Sequence, residues 1–234
     1  AYYERRKKKI EELNDYDAFI KELEKKKEEA LTKTASVSEK LHAIREKYAV
    51  SFSDEIRKQL TELNFMDTRI EMRLTDTGHY SAGGRDEGEF YIALNPGEPL
   101  RPLSGIASGG ELSRIMLAVK TVLADEEDTP TLIFDEIDTG ISGITADKVG
   151  EKLHLIGKSR QVICITHLPQ IAAAADVHFL IEKKAQDNSV KTCIERLDDD
   201  ASIKEIARLL RGAKVTDSIL KSAEEMKELA KSER

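Results

Sequence analysis

From residue 1 to about residue 64 the chain places apolar side chains at helical spacing and contains no Gly or Pro. Ile10, Leu13, Tyr16, Ile20 and Leu23 form one stripe, and Leu41, Ile44, Tyr48, Phe52, Ile56, Leu60 and Leu63 form a second, at intervals of three and four. This period predicts a long amphipathic helix of coiled-coil type. Between the stripes "EEALTKTASVSEK" dilutes the pattern, so a local break is expected near Thr32 to Ser38. The pattern is already running at Ala1 without a capping residue, which points to an ascending strand of the coil that is missing or lies on another segment.

Beyond this helix the period changes from 3.6 to 2. Ile70, Met72 and Leu74 alternate with polar residues, as do Phe90, Ile92 and Leu94, on either side of the Gly-rich "TGHYSAGGRDEG". The spacing predicts an antiparallel hairpin. "NPGEPLRPLSG", residues 95–105, reads as a loop from its Pro and Gly. The remainder alternates: a helix from Glu111 to Ala124, a strand at 131–134, a helix at 145–156, a strand at 161–165, a short helix after Pro169 and a strand at 177–181. An edge strand at 190–196 and helices at 203–210 and 217–231 follow. Such alternation predicts an α/β body with a parallel sheet whose ligands gather at the carboxyl ends of the strands. Two domains are expected, a helical arm over 1–64 and the α/β body over 65–234.

Composition narrows the function classes. Charged residues make up 35% of the chain and Trp is absent, which suits long solvated helices joined to a compact unit. A net charge of -7 argues against the chain acting by itself as a nucleic-acid clamp. Cys164 and Cys193 lack metal-ligand spacing and read as reduced thiols. No apolar run approaches a membrane span, and "AYYERRKKKIEELND" has no secretory core, so a soluble, cytoplasmic protein without a membrane partner is expected.

The chemistry concentrates in four stretches. In "TLIFDEIDTG" a short apolar strand ends in Asp135 and Glu136. Asp135 is placed to hold Mg²⁺, a hard ion that takes oxygen ligands and keeps several waters, and Glu136 to activate or orient a water attacking a terminal phosphate. The plainer reading is an acid-rich helix start. In "ASGGELSR" Ser108, Gly109 and Gly110 lead from a loop onto a helix, either as an anion site at the positive end of a helix dipole or as an ordinary cap. In "CITHLPQIAAAAD" His167 leaves a second parallel strand at the same sheet edge, to meet a phosphate or the attacking water, or as a loop histidine without a task. In "DTGISG" Asp138 either faces a second nucleotide or serves simple turn chemistry. A phosphate loop is not found: "KLHLIGKSRQ" has Lys152 where the first Gly belongs, and Gly157 to Ser159 read as the turn closing a helix.

The serial order of these stretches resembles the C-terminal half of an ABC-type ATPase head, with "SGGE" similar to its signature motif, "LIFDE" to its Walker B strand, "DTGISG" to its D-loop and "THLPQ" to its switch-histidine loop. The long coil resembles the SMC-like group. Within it "ASGGELSR", "FDEIDTGISG" and "ITHLPQIAA" are closely similar to the RecN family of bacterial DNA double-strand-break repair proteins, from the coil through about Lys231. One departure is Ala107, where many transporters have Leu.

The resemblance implies the C-terminal lobe of an ABC/SMC-like ATPase head with an N-terminal coiled-coil arm. Its phosphate loop would lie on an N-terminal half-head, so this chain alone is expected to be inactive. Two heads would sandwich ATP and Mg²⁺, with Ser108, Gly109, Gly110 and Glu111 of one head clasping the nucleotide of the other. Asp135 would hold the metal, Glu136 would activate water, His167 would sense the terminal phosphate and Asp138 would couple the two sites. ATP-driven dimerisation would serve DNA engagement in recombinational repair, with DNA and a recombinase as partners, in the bacterial cytoplasm at the nucleoid. The alternatives are the head half of another chromosome-organising or nuclease-associated SMC-like ATPase, a non-catalytic coiled-coil scaffold, and a metal-dependent nuclease using the same acids.

Overall fold

The computed structural model describes residues 2–106, 108–124, 126, 128–186, 189–212 and 214–232. Ala107 and the side chain of Leu13 lie outside them. The first element, α1 (Tyr2–Glu62), is a single helix of 61 residues. At 1.5 Å per residue it is ~90 Å long. The expected break near Thr32 to Ser38 does not occur. Thr32 and Thr34 return their hydroxyls to the carbonyls of Glu28 and Ala30 at 2.9 and 2.8 Å. Side chains that dilute the apolar pattern are thereby satisfied inside the helix instead of competing with it. Ile10, Tyr16, Ile20 and Leu23 are all exposed.

The helix stops for a local reason. Asn64 adopts a left-handed conformation with φ 70°. The Phe65 amide reaches back to the Leu60 carbonyl at 3.0 Å and the Asn64 amide to that of Thr61 at 3.1 Å. This paired closure satisfies carbonyls that a helix end leaves orphaned, and it turns Phe65 off the helix axis.

The described residues gather into two compact units, 1–52 with 71–90 and 53–70 with 91–234. In the first, α1 packs against the hairpin of β1 (Arg69–Ser81) and β2 (Gly84–Ala93). The strands are longer than the alternation predicts and run through most of the Gly-rich segment, reversing only at Ala82 and Gly83. Gly78 stays within β1 because its φ of 75° is supported by Asp76, whose Oδ1 accepts from the Gly78 amide at 2.9 Å. At the hairpin tip Gly84 lets the strand approach the helix, since a Cβ there would lie 3.0 Å from Leu41 Cδ2. Asp86 Oδ1 lies 2.8 Å from His42 Nδ1, and its Oδ2 accepts from Arg45 at 3.2 Å. Burial raises the Asp86 pKa, but these two partners more than offset it and hold the carboxyl below its usual range. Phe52 and Phe90 meet at 5.7 Å between ring centroids.

The second unit is built on the last turns of α1, where Ile56, Leu60 and Leu63 are fully buried. Each contributes about 1.5–3 kcal/mol from burial. β2 pairs antiparallel with β3 (Arg101–Pro102), and a 3₁₀ turn, Leu103–Gly105, follows. The segment expected as plain loop thus adds a two-residue edge strand, a place where Pro is tolerated. Next come α2 (Gly109–Val122), β4 (Thr131–Phe134), α3 (Ile144–Gly157), β5 (Gln161–Cys164) and α4 (Pro169–Ala173). β4 and β5 are parallel and in register from Thr131↔Gln161 to Phe134↔Cys164. Gly157 and Lys158 close α3, as the turn reading expects.

The expected third parallel strand is not part of this sheet. β6 (Phe179–Gln186) pairs antiparallel with β7 (Ser189–Arg196), from Phe179↔Arg196 to Gln186↔Ser189. With two residues between the strands, direct pairing with β7 is the short-loop solution. α5 (Asp199–Arg211) is capped by Asp198, whose side chain accepts from the Ala201 amide at 2.8 Å, and α6 (Asp217–Ser232) packs along it. Ala172 and Ala173 of α4 join Ile206, Ala207 and Ala223 in the core that these three helices share. No described helix is long and apolar enough to cross a membrane.

Candidate functional site

The parallel register of β4 and β5 brings their carboxyl ends level, and the Ile165 amide continues the ladder to the Phe134 carbonyl at 3.0 Å. Asp135 and Glu136 therefore leave β4 beside the point where Thr166 and His167 leave β5. The turn after β4 is tight: Thr139 donates its amide to the Glu136 carbonyl at 3.0 Å, and Glu136 sits at φ 58°, unusual for a residue with a Cβ. Asp135 Oδ1 accepts from the Glu136 amide at 2.9 Å, which leaves Oδ2 for an ion. Both acids are exposed, whereas Ile137 and Asp138 turn inward and are buried.

The N-terminus of α2 lies against this turn. Ser108 is its N-cap, with Oγ accepting from the Glu111 amide at 3.4 Å. The hydroxyl proton remains available, so capping and anion binding are compatible roles for this one residue. A Cβ at Gly109 would collide with Glu136 Oε2. A Cβ at Gly110 would lie 2.9 Å from Thr139 Cβ and 3.0 Å from the carbonyl oxygens of Glu136 and Thr139. The two glycines thus admit the acid turn to the first turn of the helix. Gly110→Ala should destabilise the chain by about 1–3 kcal/mol through that overpacking against backbone. The ~1 kcal/mol that Ala gains over Gly in a helix offsets part of this, leaving a net loss of up to about 2 kcal/mol. Urea unfolding of the two forms checks this, with Gly157→Ala, where a Cβ meets nothing within 4 Å, as the control that carries the helix gain without the clash.

Asp138, expected to face a second nucleotide, is 4% exposed and bound within its own unit. Its Oδ2 accepts from Thr166 Oγ1 at 2.6 Å and from the His167 amide at 2.7 Å, and lies 3.0 Å from His167 Nδ1. Its partner His167 has a side chain that is 71% exposed, which carries the contact to the surface. With Nδ1 directed at Asp138, a neutral ring carries its proton there and presents Nε2 as an acceptor. Beneath the site, burial, with help from Asp138 and Asp135, pushes the Cys164 thiol up to about 12, so it stays protonated.

Three further residues build the site and were not singled out by pattern. Ser113 donates its hydroxyl to the Asp135 carbonyl at 2.8 Å. Arg114, 6% exposed, donates Nη1 to the carbonyls of Ile137 and Thr139 at 3.2 and 2.8 Å. Burial lowers its pKa, and Glu111 and Asp138 oppose that shift. Thr166 is the third. Arg114 stands one helical turn after Gly110 on the same face, and a cation at that spacing from a packing glycine was the available signal. Among the described residues no group of three or more His, Cys, Asp or Glu side chains gathers as a metal cage. Asp135 is one exposed carboxylate, which fits an ion that takes one or two protein ligands and completes its shell with phosphate and water.

No protein-family model matches the chain. It is similar to the DNA repair protein RecN of Halalkalibacterium halodurans, 40% identical over 220 residues that cover 92% of this chain and 39% of the relative. RecN of Bacillus subtilis is 34% identical over 240 residues, covering 96% and 42%, and RecN of Deinococcus radiodurans 40% over 190 residues, covering 81% and 33%. The chain thus spans about two-fifths of the length of the first of these curated relatives. Among solved structures it resembles the Smc head domain with a coiled coil and joint from Pyrococcus yayanosii, with a TM-score of 0.52, 18% identity, and coverage of 72% of this chain and 30% of that one.

Proposed function

Since the chain matches the C-terminal part of the RecN family of DNA repair proteins and has the α/β fold of an SMC-type ATPase head with a helical arm, we propose that it supplies one half of an ATP-hydrolysing head that acts in double-strand-break repair. The observation that carries this reading is the gathering of Asp135, Glu136 and His167 at one sheet edge, with the Ser108 to Gly110 helix start against them. Residues 1–64 form the arm and 65–234 the half-head.

ATP would lie across this edge. When bound, Mg²⁺ would supply charge neutralisation of the phosphates, held by Asp135. Glu136 orients the attacking water and accepts its proton. His167, held by Asp138 at Nδ1, turns Nε2 toward the terminal phosphate or that water and senses the phosphate. Ser108 and the amides of Gly109 and Gly110, with Glu111 in the same turn, clasp the terminal phosphate of a nucleotide held by a second head. ATP then joins two heads and hydrolysis releases them, with DNA as the substrate surface, a recombinase as a partner and the nucleoid as the place of action.

The complementary half-head has a face to meet. Leu132 and Phe134 are buried, but Ile133, Ile163 and Ile165 on the opposite side of β4 and β5 are 68%, 44% and 49% exposed. A parallel sheet is normally covered on both faces, so this side fits a lobe carrying the phosphate loop. The test is calorimetry and ATPase assay of this chain alone and after mixing with the N-terminal part of a full-length family member. Binding and turnover should appear only in the mixture, and tight ATP binding by the chain alone would reject the half-site reading.

A further inference from the structure

The foot of α1 is held by two buried cations. Lys152 of α3, its side chain 8% exposed, donates to Gln59 Oε1 and to Glu62 Oε2. Arg114 of α2 lies over the ring of Phe65, its guanidinium carbon 5.4 Å from the centroid. Phe65 is there because the closure at Asn64 turns it off the helix. The guanidinium that Phe65 stacks on is the one whose Nη1 grips the carbonyls of Ile137 and Thr139.

That grip has work to do. The turn it holds contains Glu136 at φ 58°, and a left-handed residue with a Cβ costs roughly 1–2 kcal/mol. Such a conformation persists only where its surroundings over-determine it. Besides the Glu136 amide bond to Asp135 Oδ1, its supports include the Ser113 hydroxyl on the Asp135 carbonyl, the turn's own Thr139 amide, and Arg114. Arg114 differs from these in also touching Phe65, a residue from outside the site.

We propose that Arg114 is the positioning residue of the acid turn and that Phe65 sets where Arg114 sits, so that a displacement of the α1 foot re-aims Asp135 and Glu136. Lys152 anchors the preceding helical turns to α3 and keeps that foot in register. The catalytic consequence rests on the ATPase reading above, whereas the mechanical link does not.

The first arm of the test is amide hydrogen exchange on this chain, comparing the parent with Phe65→Leu and Arg114→Lys. Leu keeps an apolar side chain but removes the ring face, and Lys keeps the charge but loses the planar fork. Protection of the Thr139 and Ile141 amides should fall ~10-fold in both, as for loss of about one hydrogen bond, while the Gly212 amide at the end of α5 is unchanged. Unchanged protection in Arg114→Lys overturns the positioning role, and unchanged protection in Phe65→Leu overturns the link to the foot. A rise in exchange everywhere in Arg114→Lys marks misfolding, and Phe65→Leu then decides.

The second arm uses a full-length family member carrying this chain. Each variant should lower kcat ~10- to 100-fold with KM for ATP unchanged, as expected for misplaced reacting groups. The double variant should be no worse than the more severe single one, because the two residues act through one contact. A raised KM with unchanged kcat, or fully additive losses, overturns the proposal. If the full-length parent hydrolyses no ATP, the functional reading fails and the exchange result alone decides the link.

Discussion

Replacing Glu136 by Gln in a full-length protein carrying this chain should lower ATP turnover ~10²- to 10⁴-fold, the usual contribution of a general base. Gln keeps the length and hydrogen-bonding reach of the side chain and loses only its capacity to take a proton. Asp135 and the first turn of α2 are untouched, so nucleotide still binds and two heads still close on it. The expected product is a long-lived ATP-bound dimer. Asp135→Asn should behave differently, because it weakens the oxygen ligand available to a hard cation and hydrolysis is lost without accumulation of a dimer. Light scattering after addition of ATP and Mg²⁺ distinguishes the two, and identical dimer lifetimes would reject the separate roles.

The second large effect belongs to Ser108. An Arg in its place removes the cap, at a cost of about 1 kcal/mol, and sets a bulky cation where a phosphate oxygen should arrive. ATP-dependent dimerisation should be abolished while nucleotide binding, which depends on the phosphate loop of the other lobe, stays intact. Ser108→Asp separates folding from function, since Asp caps as well as Ser but repels the phosphate. Both variants should sediment as single heads with ATP and retain ATP binding. Normal ATP-dependent dimers in Ser108→Asp would remove the anion-clasp assignment.

Much of the fold was legible because its signals are local. Thr131 to Phe134 forms β4 as its apolar run and flanking acids predict, and the Gly157 to Ser159 tripeptide ends a helix instead of cradling phosphate. The departures arise where a local signal has two outcomes. Thr32 and Thr34 weaken a helical pattern yet satisfy their hydroxyls within the helix. Gly78 looks like turn chemistry yet lies inside a strand, because Asp76 caps its amide. The strand beginning near Val177 was recognisable, but its pairing partner was not, since a parallel neighbour and a hairpin neighbour demand the same residues.

At the candidate site the exposed acids, the glycines and His167 could be read from their order along the chain. Their supports could not. Arg114 looks like any cation on a charged helix until the fold places the carbonyls of Ile137 and Thr139 beneath it. Asp138 likewise reads as a surface turn residue until its oxygen is found under Thr166 and His167. Both depend on contacts across more than 20 residues, which no short spacing encodes.

The bare side of β4 and β5 bears on how the chain would fare in a cell. Ile133, Ile163 and Ile165 form an apolar surface on open backbone, and the β6–β7 hairpin adds exposed Phe179, Ile181, Val190 and Ile194. Surfaces of this kind attract chaperones and like molecules when nothing covers them. A lobe that hides them would raise the solubility of the chain and slow its proteolysis before any nucleotide arrives.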